Sequence, residues 1–174
     1  IYQALQLEQH ENIHHADRVH AKAHARYLLS LNLIDELGFN THELSLSSPA
    51  KSHLIYYMDL LNSLQVQPLN SEQVVLEAHA LNQFIQEQLS SYNGLLLILA
   101  CAELQVIQFS EALRVNLEKY NPEFTEGYYA CHGVVDHSEK LANDNNHEED
   151  LWVLLTQSYS CDQQSQYEKL IQQY

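Results

Sequence analysis

The sequence predicts an all-α fold, and three observations predict it. Gly occurs 4 times and Pro 3 times in 174 residues. That is too few turn formers for an all-β sandwich, which turns every 8–12 residues or so, or for βαβ units with glycine-rich phosphate loops. Leu, Ala, Gln and Glu dominate, and all four are strong helix formers. Ser48-Pro49 and Asn121-Pro122 each place a capping side chain before a proline, the pairing that opens helices. With 45% hydrophobic residues the chain can bury a core rather than stay disordered. Its length fits a single helical-bundle domain over 1–174.

Six or seven helices follow in order. The first covers Tyr2–Leu37, polar and His-rich at its start. It becomes amphipathic through Ala23, Tyr27, Leu28, Leu31 and Ile34, and is stopped by Gly38. A Ser-, Thr- and Asn-rich loop over Phe39–Ser48 leads to a helix from Pro49 to Gln67, ended by Pro68. Asn70 or Ser71 caps the next, which runs to Ser91, and Gly94 punctuates. Leu95–Tyr120 is hydrophobic on most sides up to Ile107 and reads as the central helix. Pro122–Ala142 is another helix, Asn143–Asn146 a polar connector, and Glu148–Tyr174 the last helix. The Gln-rich end of that helix reads as a solvated face.

Charge and cysteine usage narrow the function. Lys+Arg is 8 against Asp+Glu 23, a net charge of −15. Such a surface repels phosphate backbones and anionic membranes, so neither nucleic acid nor membrane is an expected partner. The longest apolar run, Leu95–Ala102, is too short to span a bilayer. Cys101, Cys131 and Cys161 are odd in number, widely spaced and without a CxxC pair. This disfavours a disulfide framework or a structural zinc site and fits a reducing, cytoplasmic location. No basic-then-apolar signal segment opens the chain, and because it begins at Ile1 rather than Met, upstream residues are expected. The unusual count is His 11; a His- and carboxylate-rich, Lys-poor helical chain can hold metal.

Four local features carry that possibility. In the Pro122–Ala142 helix, His132, Asp136 and Glu139 stand at i, i+4 and i+7, within about 40° of one another at about 100° per residue. Imidazole and two carboxylates on one stripe suit a divalent iron or manganese ion, and bundle cores collect such ligands from facing helices. An exposed polar stripe is the plainer reading. Glu103, inside Leu-Leu-Leu-Ile-Leu-Ala-Cys-Ala-Glu-Leu, must be paired, protonated or metal-bound if it is buried; otherwise it marks a wet edge of that helix. His53 lies early in the Pro49–Gln67 helix with Tyr57 one turn on, and Glu36 ends the first helix in Asp-Glu-Leu-Gly.

In that order, a Glu in an E-L-G helix end, a His starting the next helix, a Glu in an apolar "ACAEL" helix, and H-x3-D after paired aromatics, the chain resembles the haem-oxygenase-like diiron oxidases and oxygenases. Among them it looks most like the CADD-like group, named for the chlamydial protein associating with death domains and related in fold to the TenA and PqqC proteins. The resemblance runs from about Ala23 to Ala142. It implies a seven-helix bundle with a metal site between central helices. The implied ligands are Glu36, His53, Glu103, His132 and Asp136, with Glu43 a competitor of Glu36 because the loop before His53 is long. The family's H-x3-D-x2-H triplet ends here on Glu139 instead of His, and His137 points about 100° away from Asp136. The site is therefore two-metal, one-metal or vacant. The implied cofactor is iron, two ions or one, or manganese, with no haem. Dioxygen binds at open metal positions and a small-molecule substrate, or a Tyr of the chain itself, is oxidised. Tyr57 and Tyr129, with Tyr56 and Tyr128, are implied to line the cavity, and a homodimer is compatible with the fold.

Three rival readings stand beside it. One is a TenA-like hydrolase with a Cys nucleophile, disfavoured because the neighbours Cys131 and His132 do not face each other on a helix and positive charge is scarce; buried, inert cysteines are the alternative. Haem binding by His10, His14, His15, His20 or His24 is disfavoured by the polarity of that stretch. The last is a non-catalytic helical interaction protein that has lost a complete metal site.

Overall fold

Helix α1 (Arg18–Glu36) ends where a glycine accepts a left-handed backbone. Gly38 has φ +86°; its N–H donates to the Asp35 carbonyl at 2.8 Å and that of Phe39 to Ile34 at 3.1 Å, the paired bonds of a glycine cap. The computed structural model describes residues 13–40, 43–67, 69–132, 143–158 and 160–174. Among these the chain is all-helical, with seven α-helices and no strand. The predicted start of the first helix at Tyr2 lies outside the described residues; a short 3-10 turn at His15–Asp17 precedes α1.

Local capping shortens several predicted helices. Ser48 does cap Pro49, its Oγ accepting from Ala50 N–H at 3.3 Å. The helix so opened is a single 3-10 turn, Pro49–Lys51, because Ser52 turns extended (ψ 144°) before α2 (His53–Ser63). Helix α2 stops short of the predicted Gln67 because Gln65 is left-handed (φ +57°). The N–H of Gln65 donates to Asn62 and that of Val66 to Leu61. Asn70 accepts from Glu72 and Gln73 N–H at 3.0 and 3.1 Å, capping one turn, and α3 (Leu76–Gln88) begins after it.

Gly94 lies inside α4 (Tyr92–Leu117) rather than breaking it. The Ser91 Oγ accepts the Gly94 N–H at 3.1 Å, so Ser91 caps a helix that begins three residues earlier than the apolar run indicates. By length and composition α4 is able to cross a membrane, which the short run Leu95–Ala102 does not reveal; its Leu96, Leu97 and Ala100 are packed in a core. The predicted Pro122–Ala142 helix is interrupted. A 3-10 turn, Pro122–Thr125, is capped by Asn121, Gly127 turns left-handed (φ +65°), and α5 (Tyr128–His132) follows. Helix α6 (Asn143–Ser158) absorbs the predicted connector. A break and a 3-10 turn at Cys161–Gln163 separate it from α7 (Gln164–Gln173).

The chain divides into two compact units. The first comprises Ile1–Ser30, Leu69–Ala102 and Glu148–Tyr174. Its core is built at helical spacing by Ala25 and Leu28 of α1, Tyr92, Leu96, Leu97 and Ala100 of α4, Leu151, Leu154 and Leu155 of α6, and Tyr167 and Leu170 of α7. Asn93 ties this core to the chain end, donating to Tyr167 Oη at 2.7 Å and to the Ser158 carbonyl at 3.3 Å. The Gln-rich tail thus buries Tyr167 and Leu170 while most of its glutamines face solvent. The second unit comprises Leu31–Pro68 and Glu103–His147; in it α2 packs on α5, with Leu60, Ile107 and Tyr129 buried.

Candidate metal centre

The second unit gathers the titratable side chains, and the backbone at Gly38 begins the process. After α1 ends, the chain loops and returns so that Ser48 N–H donates to the Gly38 carbonyl at 3.0 Å. The backbone of Lys51 and Ser52 lies so close to Gly38 that any Cβ there meets it at under 3 Å. This approach brings the first residue of α2 to the last residue of α1. His53 is 5% exposed, and its Nδ1 lies 2.8 Å from Glu36 Oε1. Burial disfavours the charged imidazole, yet a bond to the Cys131 side chain and the Glu36 carboxylate outweigh it, and the His53 pKa is pushed up to about 10. Burial raises the Glu36 carboxyl, but His53, then His132 and His147, pull it below its ordinary value.

Helix α5 supplies the second imidazole. The turn at Gly127 starts it so that His132, 6% exposed, lies with its ring centroid 4.4 Å from that of His53 at 79°. Tyr128 contacts the same ring, also at 4.4 Å, and lies tilted against Tyr57 at 5.2 Å.

The third imidazole is one the sequence reading passed over. His147, in the first turns of α6, is 4% exposed. Its Nε2 lies 3.3 Å from Asp35 Oδ2, and its Nδ1 lies 3.9 Å from both Glu36 Oε1 and Glu103 Oε1. Glu103 is therefore on neither a bare apolar face nor a fully wet edge; its side chain is 21% exposed and faces an imidazole.

Of the predicted ligands, Glu36, His53, Glu103 and His132 fall in this one unit, whereas Asp136 and Glu139 lie outside the described residues. Glu43 does not compete with Glu36: it is exposed, and its carboxylate accepts from Ser45 Oγ at 2.7 Å. Of the two predicted pocket tyrosines, Tyr129 is buried against Tyr128 at 5.5 Å. Tyr57 is 42% exposed and contacts Tyr128, the ring that touches His132. Cys131 is half-buried and its side chain raises the His53 pKa, and Cys161 is exposed rather than buried. The sequence reading missed His147 and Asp35. Continuing the α6 stripe back from Leu154 and Leu151 by one turn lands on His147, a signal that could have marked it; starting the helix at Glu148 hid it.

The chemistry of this donor set, imidazoles and carboxylates, suits a divalent ion. Two ligand atoms each about 2.1 Å from one ion stand about 3.0 to 4.2 Å apart, depending on the angle between them. The 3.9 Å separations about His147 fall near the upper end of that range; the 2.8 Å Glu36–His53 contact is a direct ion pair instead. Among the described residues no group of three or more His, Cys, Asp or Glu side chains is arranged as it stands to hold an ion. The carboxylates lie pairwise on imidazoles, the arrangement expected when protons supply the positive charge. No family model, curated protein or solved structure matches the chain.

Proposed function

We propose that this chain is a metal-dependent oxidoreductase of the haem-oxygenase-like diiron type, CADD-like in its motifs, which activates dioxygen to oxidise a small molecule or one of its own side chains. The observation that carries the reading is the gathering of three buried imidazoles, His53, His132 and His147, with the carboxylates of Glu36 and Glu103 in one unit. Gathering several buried polar rings beside carboxylates is costly, and such clusters concentrate at functional sites. Glu36, His53, Glu103 and His132 would hold the metal, with Asp136 and Glu139 added by the resemblance. Iron is the expected ion, two or one, with manganese the substitute that the same ligands accept.

When bound, redox-active iron supplies electrons and open positions for dioxygen. The chain's own part is to keep these groups out of water, to orient them and to shape the space beside them. Tyr128, against His132, fixes that ring. Tyr57, partly exposed beside Tyr128, would line the approach of a substrate.

Elemental analysis of full-length protein prepared with Fe(II), followed by measurement of dioxygen uptake, tests the reading. Iron or manganese is expected in wild type, with Glu103→Ala and His132→Ala each abolishing binding and Glu43→Ala retaining it. Protein that takes up neither ion from excess Fe(II) or Mn(II) overturns the oxidase reading and leaves a helical interaction protein.

One observation favours a second reading. The Cys131 side chain is near enough to His53 to raise its pKa, and His53 pairs with Glu36, so a thiol, an imidazole and a carboxylate stand close together. This supports a TenA-like hydrolase. Loss of hydrolytic activity in metal-free protein both on alkylation of Cys131 and in Cys131→Ser would select it, and activity retained in folded Cys131→Ser would exclude it.

A further inference from the structure

We infer that His147 is a metal ligand, supplying the imidazole that the sequence lacks at Glu139; the inference rests on the metal-dependent reading above. The two nitrogens of His147 are differently employed. Nε2 faces the Asp35 carboxylate at 3.3 Å, so a proton held there leaves the Nδ1 lone pair directed away from Asp35. On that side Nδ1 is equidistant, at 3.9 Å, from Glu36 Oε1 and Glu103 Oε1. Metal-binding histidines commonly have this form, one nitrogen toward the ion and the other bonded to a carboxylate that fixes tautomer and ring orientation.

The two carboxylates come from different helices, α1 and α4, and His147 from a third, α6. Convergence of ligand atoms from separate helices is the way a bundle builds a site. The separation of 3.9 Å is too long for a hydrogen bond, and a small inward movement of these side chains would bring both oxygens and Nδ1 to ligand distance of one ion. Burial argues the same way. The sequence about His147 is Asn-Asp-Asn-Asn-His-Glu-Glu-Asp, which has no apolar reason to be inside, yet His147 is 4% exposed. Asp35 thereby acquires a role as a positioning residue: it sits beside the ligand Glu36 in sequence and touches His147 rather than the ion.

The experiment loads full-length protein anaerobically with Co(II), chosen because its visible absorption reports coordination, and repeats the loading with Fe(II) for elemental analysis. His147→Ala is expected to lose one equivalent of metal or to weaken binding by about 100-fold or more. Asp35→Asn is expected to keep the stoichiometry and weaken binding by about 10- to 100-fold. His147→Cys is expected to bind Co(II) with a thiolate charge-transfer band additional to the wild-type spectrum, which a merely structural role would not produce; it also serves if His147→Ala fails to fold. Wild-type stoichiometry and affinity in folded His147→Ala, or no new band from metal-loaded His147→Cys, overturns the assignment while leaving the metal reading intact. Failure of the wild type itself to take up Co(II) or Fe(II) identifies the metal reading as the part at fault.

Discussion

Glu36 Oε1 lies 2.8 Å from Nδ1 of His53, the last residue of α1 against the first of α2. The Glu36 side chain is 41% exposed while that of His53 is almost wholly buried. Water therefore screens one partner only, and the contact works mainly by holding a proton on the buried imidazole. Glu36→Gln is expected to lower the His53 titration toward its ordinary range, and Cys131→Ser to lower it as well, because both groups raise it. Histidine NMR titration of metal-free protein reads this. The cost in stability is about 1–2 kcal/mol, discounted from a fully buried pair for the exposed carboxylate. An unmoved His53 titration in Glu36→Gln would contradict the contact.

The same pair makes stability of the metal-free protein depend on pH on two sides. The folded pKa of His53, about 10, lies above its ordinary 6.5. Its contribution is complete below pH 6.5 and disappears as pH rises through about 10. The folded pKa of Glu36 lies below its ordinary 4.5, so its contribution is complete above pH 4.5 and disappears as pH falls through the depressed value. Thermal denaturation against pH should show a plateau between these limits and a decline on each side. His53→Gln should flatten the alkaline limb; an unchanged limb would assign that decline to other groups.

Gly38→Ala is expected to be among the most damaging single-methyl changes in the chain. The φ of +86° disfavours any side chain, and the new Cβ meets the backbone of Lys51 and Ser52, which has no rotamer with which to move aside. A loss of about 2–4 kcal/mol follows, together with displacement of His53 from Glu36, readable as a fall in the His53 titration. Denaturant midpoints check the first effect.

Gln65 offers the opposite test. It holds φ +57° without being glycine, at the C-terminal end of α2. Gln65→Gly should relieve that strain and stabilise by about 0.5–1 kcal/mol, raising the denaturant midpoint without changing the slope. A lower midpoint would show that the Gln65 side chain makes a stabilising contact.

In the first unit, Leu96 is 1% exposed and packed among residues of α1, α6 and α7. Leu96→Ala should cost about 2–5 kcal/mol. Leu104, on the same helix but 39% exposed, should lose under about 1 kcal/mol on the same change. Equal losses at the two positions would contradict the burial pattern.

The sequence by itself determined the helical class. Too few glycines and prolines, abundant helix formers and capped prolines at Ser48 and Asn121 are local properties, and each acts through neighbours within one turn. It also marked Glu36, His53, Glu103 and His132, because a polar residue in an apolar or capping context is visible along the chain. Tertiary structure decided the rest. Whether Ser48-Pro49 opens a long helix or one 3-10 turn depends on Gly38 receiving the backbone of Lys51 and Ser52. Whether Glu36 or Glu43 faces His53 depends on the same approach. His147 was legible only as a polar residue in an acidic stretch, since its partners Asp35, Glu36 and Glu103 lie far away along the chain. Electrostatic pairing acts through space over a few ångströms, and only folding converts distant positions into such distances.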